Sequence, residues 1–146
     1  MFELENDQYG ITKVKRIASR TMQKFFNVGE CPFTIDLDYS QIDEIQYKVD
    51  GSLISTYLCN DNLYLKSKTS LTSEHCQKAM DWLQKDLLLT SILYNLAKDN
   101  YTVNLEWCSP EYPFRIVVLY DKPELKVLNV RHNDTGDYLS RKEFGN

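Results

Sequence analysis

At 146 residues the chain is long enough to bury one core and short for two domains. Its 42% apolar and 26% charged residues exclude disorder along most of its length. A net charge of −4 argues against bulk attraction to nucleic acid, and no apolar run is long enough to span a membrane.

Residues 2–5 read as a short strand, Asn6 to Gly10 as a turn, and residues 14–19 as the returning arm of a hairpin. The first residues lack the basic start and apolar middle of a secretory signal, so a cytosolic protein is expected. Lys13, Lys15, Arg16, Arg20 and Lys24 crowd together, either as a solvated positive face or as a local phosphate-binding stripe. Residues 21–27 suit one helical turn or an irregular segment ending near Gly29. Three short strands are then expected at 42–47, 53–58 and 63–67, with turns at Asp50-Gly51 and at Asn60-Asp61-Asn62. On this reading Lys48 ends a strand at a tight turn, and Lys66 and Lys68 share one face of the third strand.

From Ser73 the apolar period becomes helical, with Met80, Leu83, Leu87, Leu88, Ile92 and Leu96 in step. The spacing predicts one long helix over 73–98, with a possible break at Lys85-Asp86 and a stop at Asn100. Strands return at 101–107, 115–120 and 125–130, with Pro110, Pro113 and Pro123 in the connections. Ser140 and Glu143 have the spacing of a capping box that opens a last helix. The expected fold class is α+β, mostly antiparallel, with residues 1–146 forming a single domain. Cys31, Cys59, Cys76 and Cys108 are scattered, and His75 and His132 add no metal-ligand spacing, so reduced thiols are expected.

The chemistry gathers at Lys48-Val-Asp-Gly-Ser52. A lysine that attacks a nucleoside triphosphate needs its phosphate close to backbone amides with no side chain in the way, which Gly51 offers. Alone, K-x-D-G is a weak signal and describes an exposed lysine before a hairpin turn equally well. Lys66 and Lys68 suit the polar side of an edge strand, and Glu106 between Leu105 and Trp107 suits solvent by alternation. Phe25, Phe26 and Trp107 read first as packing residues. Together, in this order, they make covalent nucleotidyl transfer the reading to test.

These residues resemble the nucleotidyltransferase domain of the phage RNA ligase 1 family, the tRNA-repair ligases. The resemblance runs through Arg16-Ile-Ala-Ser-Arg20, Met22-Gln-Lys-Phe-Phe-Asn27, the Lys48 segment, Leu65-Lys-Ser-Lys68, Asn104-Leu-Glu-Trp107, Leu128-Asn-Val-Arg131 and Asp134-Thr-Gly136. It implies a ligase-type adenylation fold that takes ATP and Mg²⁺ and acts on RNA ends, tRNA among them. Lys48 is then the nucleophile that forms lysyl-AMP. Lys24, Phe26, Asp50, Gly51, Lys66, Lys68 and Glu106 are implied nucleotide-binding residues, with Glu106 also toward the metal. Family members begin earlier, at an Arg-Gly pair, and continue past Asn146 into a glutamate strand and a lysine-x-lysine strand. The chain thus resembles a domain truncated at both ends. Weak or absent ligation by this chain alone is implied, with a second polypeptide or a second copy as partner and no membrane. The setting implied is the cytoplasm of a phage-infected bacterium. The alternative is a non-catalytic nucleotide- or RNA-binding remnant serving as a phage decoy or inhibitor of host defence.

Overall fold

Two left-handed residues fix the centre of the sheet. Asn60 (φ 47°) and Asp61 (φ 62°) form the two-residue turn between β3 (Ser52–Cys59) and β4 (Asn62–Ser67). Asparagine and aspartate tolerate this backbone region better than most residues, and turns of this hand match the twist of paired strands. In the computed structural model, which describes residues 1–42, 44–111 and 117–144, β3 also pairs with β5 (Tyr101–Cys108). β5 in turn pairs with β6 (Glu124–His132), giving a four-stranded antiparallel sheet in the order β4-β3-β5-β6. A separate hairpin of β1 (Phe2–Asn6) and β2 (Thr12–Ile17) leans on it, with the Arg16 guanidinium donating to the Leu58 carbonyl at 2.9 Å.

Alternation along the strands gives the sheet two unlike faces. Ile54, Leu58, Leu63, Leu65, Val103, Leu105, Trp107 and Val130 form a buried face against α1 (Glu74–Leu83) and α2 (Leu87–Lys98). Cys76, Ala79, Leu83, Leu93 and Ala97 supply the helical side of that core. The opposite face carries a polar row in which Ser55 Oγ donates to Asn104 Oδ1 at 2.7 Å and Asn104 Nδ2 to Asn129 Oδ1 at 2.9 Å. Buried amides are tolerated when bonded in this way.

The helical stretch is two helices with a break at the expected place. Ser73 caps the first by accepting from the Cys76 amide at 3.3 Å, and Asp86 caps the second by accepting from Leu89 at 2.9 Å. Asn100, at φ 67°, ends the second. Residues 21–27 are irregular, and hydrogen bonds place them across the open face. The Arg131 guanidinium donates to the Thr21 carbonyl at 2.7 Å, and the Gln23 amide donates to the Tyr138 hydroxyl at 2.9 Å. Ser140 and Glu143 form half of the expected box ahead of α3 (Arg141–Phe144): the Ser140 amide donates to the Glu143 carboxylate at 2.7 Å, but the Ser140 hydroxyl also donates to that carboxylate and does not accept from the Glu143 amide.

Two expected strands are not formed among the described residues. Residues 42 and 44–47 have no regular structure, and Asp43 lies outside the described residues. Both edges of β3 are taken by β4 and β5, so a preceding segment has no place beside it. Ile45 and Tyr47 are accordingly 85% and 98% exposed. Residues 117–120 are also irregular, because the Val117 and Val118 amides bond a side chain instead of a ladder. Arg115, Ile116 and Pro113 lie outside the described residues.

Candidate active site

The polar face of the sheet carries a cavity of about 550 Å³. Leu53, Glu106, Leu128 and Asn129 form its floor, and Met22 and Phe25 stand on one side. Tyr47 and Lys48 close the other. The crossing segment is held over the floor partly by Asn129, whose Nδ2 donates to Met22 Sδ at 3.7 Å. Phe25 is 64% exposed, as an apolar wall of an open cleft must be. Phe25 is thus a cavity wall and not the core residue that packing statistics favour.

Lys48 does not end a strand. It lies in the irregular approach to β3, and the backbone bends at Gly51 without entering the left-handed region. The reason for glycine is proximity. A Cβ there would sit 2.3 Å from the Trp107 carbonyl oxygen and 3.1 Å from Glu106 Cγ. Gly51 lets the lysine segment lie flat against β5, which brings Lys48 and Glu106 into one cavity.

Three charges then act on one another. Burial pushes the Glu106 carboxyl above its ordinary range, with the Lys48 cation opposing, Asp50 reinforcing and a hydrogen bond from the Gly51 backbone opposing. Hydrogen bonds from the Val118 and Val117 amides hold the Asp50 carboxyl low, and Lys48 adds to them. Asp50 accepts those bonds at 3.0 and 2.8 Å. Lys48 is therefore close enough to both carboxylates to be felt by each.

Lys66 and Lys68 are separated by the end of β4, contrary to the shared face expected. Lys66 is only 6% exposed and pairs in register with Ser55, on the cavity side of the sheet. Burial lowers its pKa. Lys68 lies beyond the strand and is exposed. Lys24 sits over the Phe26 ring, 4.5 Å from its centroid, and pairs with Glu30 at 3.8 Å. Lys48, Gly51 and Glu106 thus line one cavity with Asp50 beside it, whereas Lys24, Phe26, Lys66 and Lys68 are outside the lining. Among the described residues, no group of three or more His, Cys, Asp and Glu side chains is placed to hold a metal ion.

The sequence model of the RNA ligase family matches residues 1–144. The chain belongs to the RNA ligase family. A curated protein of Thermovibrio ammonificans named "Putative RNA ligase" is 29% identical over 140 residues. That alignment covers 93% of this chain and 36% of the relative, so the chain spans about a third of that protein's length. Among the described residues, no helix is long and apolar enough to cross a membrane.

Several cavity residues are not among the candidate site residues read from sequence: Met22, Tyr47, Leu53, Leu128 and Asn129. A signal existed for Asn129 and its neighbour Asn104, since both are amides set within strand-like apolar runs. Glu106 carries a testable cost. Its folded pKa is raised, so its stabilising contribution is present below the ordinary carboxylate value and is lost as pH rises through the folded value. Near neutral pH the carboxyl group is therefore a liability. Glu106→Gln should raise Tm by about 1–3 °C near neutrality, a gain of the kind found when functional residues are neutralised. Thermal melts should show the gain vanishing as the pH falls below 4.5, the ordinary value for this group.

Proposed function

We propose that this chain is the lysine-bearing part of an RNA ligase nucleotidyltransferase domain, with Lys48 as its nucleophile. The observation that carries the reading is the placement of Lys48 in the wall of a cavity that also holds Glu106. Apolar side chains of Phe25 and Tyr47 on the walls and of Leu53 and Leu128 on the floor suit the faces of a nucleobase, and Asn129 offers polar contact on the floor.

In the proposed reaction the neutral Lys48 amine attacks the α-phosphorus of ATP. An N–P bond forms, the P–O bond to pyrophosphate breaks, and the amine proton leaves to solvent. A 5′-phosphate oxygen of RNA then displaces Lys48 from the adenylate phosphorus, and the lysine regains a proton. Finally a 3′-hydroxyl attacks the RNA 5′-phosphorus and expels AMP. Mg²⁺ fits the donors present. It binds through one or two carboxylates with water and substrate phosphates, and Glu106 supplies such an oxygen. The ion would offset phosphate charge. Lys66 is buried on the same face of the sheet but outside the cavity lining, so any contribution it makes is through its charge at a distance.

The remainder of the ligase domain, or a second polypeptide carrying it, is the partner proposed for the complete reaction. The test is incubation with labelled ATP and Mg²⁺, alone and with the remaining region of the relative supplied in trans. Label on Lys48, located by mass spectrometry and released by acid as a phosphoramidate is, is the expected result. Its absence from Lys48 in both mixtures would overturn the reading, and RNA binding without label would favour a non-catalytic module.

A further inference from the structure

We propose that Tyr120 is a positioning residue for Lys48 that acts through Asp50; the inference rests on the nucleophile reading just given. Four hydrogen bonds tie residues 117–120 to this one aspartate. The Tyr120 hydroxyl donates to the Asp50 carbonyl at 2.7 Å and accepts from the Asp50 amide at 3.1 Å. The Val117 and Val118 amides donate to Asp50 Oδ2 at 2.8 and 3.0 Å. Both main-chain polar groups of Asp50 and one carboxylate oxygen are thereby committed, two residues from the amine.

Burial does not explain why the segment lies there. Val117 and Leu119 are among the exposed apolar side chains, so their part of the stretch is held by hydrogen bonds to Asp50 and not by burial. Tyr120 is gripped from the other side as well. Its hydroxyl interacts with the Cys108 thiol in β5, and the Lys126 ammonium of β6 stands 5.8 Å from its ring centroid. Lys126 is the register partner of Glu106, and Cys108 lies two residues along the same strand from it. Tyr120 therefore joins the floor that carries Glu106 to the bend that carries Lys48. The approach to β3 has no ladder of its own, so this tie fixes the backbone from which a flexible four-carbon stem must aim. Positional errors near an ångström are costly to a reacting amine.

Tyr120→Phe keeps the ring and its contact with Lys126 while removing both bonds to Asp50. Trace acetic anhydride on the folded protein, without nucleotide, reads the reactivity of each lysine by mass spectrometry. Lys48 acetylation should change by about threefold or more relative to Lys85, because the backbone that aims the amine is no longer fixed beside the cavity. Exchange of the Asp50 amide should accelerate by about tenfold, while amides of β3 and β5 keep their protection. Asp50→Asn, which removes the charge that the Val117 and Val118 amides bind, should give the same lysine-selective change.

Unchanged Lys48 acetylation in both variants would reduce the segment to a structural strap and overturn the proposal. Equal change at all lysines would overturn it too, as general loosening. No ATP enters these measurements. A failure of Lys48 to take label from ATP is thus a separate result and sinks the reaction reading alone.

Discussion

Lys48→Arg should abolish label transfer from ATP while leaving the fold and the charge of the cavity in place. The guanidinium supplies the same positive charge to Asp50 and Glu106 as the ammonium it replaces. It stays protonated throughout the accessible pH range and has no free nitrogen lone pair to offer phosphorus. Lys48 is exposed at the cavity mouth, so the longer side chain meets no packed core. Stability should stay within about 0.5 kcal/mol of wild type, as for surface changes generally. Label should fall by about 10⁴-fold or more, the scale on which nucleophile removals act. Intact-mass measurement after incubation with ATP and Mg²⁺ checks it. Persistent labelling of the variant at wild-type stoichiometry would place the nucleophile elsewhere. Lys48→Ala is a poorer probe, because it also deletes the cation that opposes the rise in the Glu106 pKa.

What the sequence made legible was local chemistry. Asn60-Asp61-Asn62 announced its hairpin because asparagine and aspartate accept the left-handed backbone that the turn requires. Ser73 announced its helix, since its oxygen caps an amide three residues on; Asp86 was legible only as a possible break, and there it caps the second helix. The order of Lys48, Asp50, Gly51, Lys66, Lys68 and Glu106 along the chain pointed to nucleotidyl transfer, and of these Lys48, Gly51 and Glu106 line one cavity while Lys66 and Lys68 do not.

What stayed hidden depended on which residues meet at long range. Residues 42–47 look like a strand by composition, yet nothing local says that both edges of β3 are already paired. Residues 117–120 have the β-branched content of a strand, but two of their amides are drawn to the Asp50 carboxylate some seventy residues earlier in the chain. The family resemblance points to Phe26, yet Phe25 is the one that lines the cavity. The hydrogen bonds of Thr21 and Gln23 to β6 and its following turn decide which of them faces the cavity.

Gly51→Ala should be the most damaging small substitution in the cavity, through a contact no local pattern reveals. From sequence Gly51 is a turn residue, for which alanine would cost backbone strain. In the structure its φ lies outside the left-handed region, and that cost does not arise. The cost is steric: the new methyl carbon would lie 2.3 Å from the Trp107 carbonyl oxygen and 3.0 Å from its carbonyl carbon. Those are main-chain atoms of a strand paired on both edges, so the methyl cannot be accommodated by turning a side chain aside. The destabilisation should be about 1–3 kcal/mol, typical of overpacking a close contact, and denaturant unfolding would measure it. The nearer consequence is for chemistry. Relief comes by lifting the Lys48 segment off β5, which widens the gap to Glu106 and withdraws the hydrogen bond from the Gly51 backbone to that carboxyl. An ångström of displacement should slow label transfer by about 10²-fold, more than the stability loss alone would produce in a protein still folded. Wild-type labelling in a variant that melts earlier would mean that Lys48 and Glu106 need not be held together, and the cavity would lose its claim to be the reacting centre.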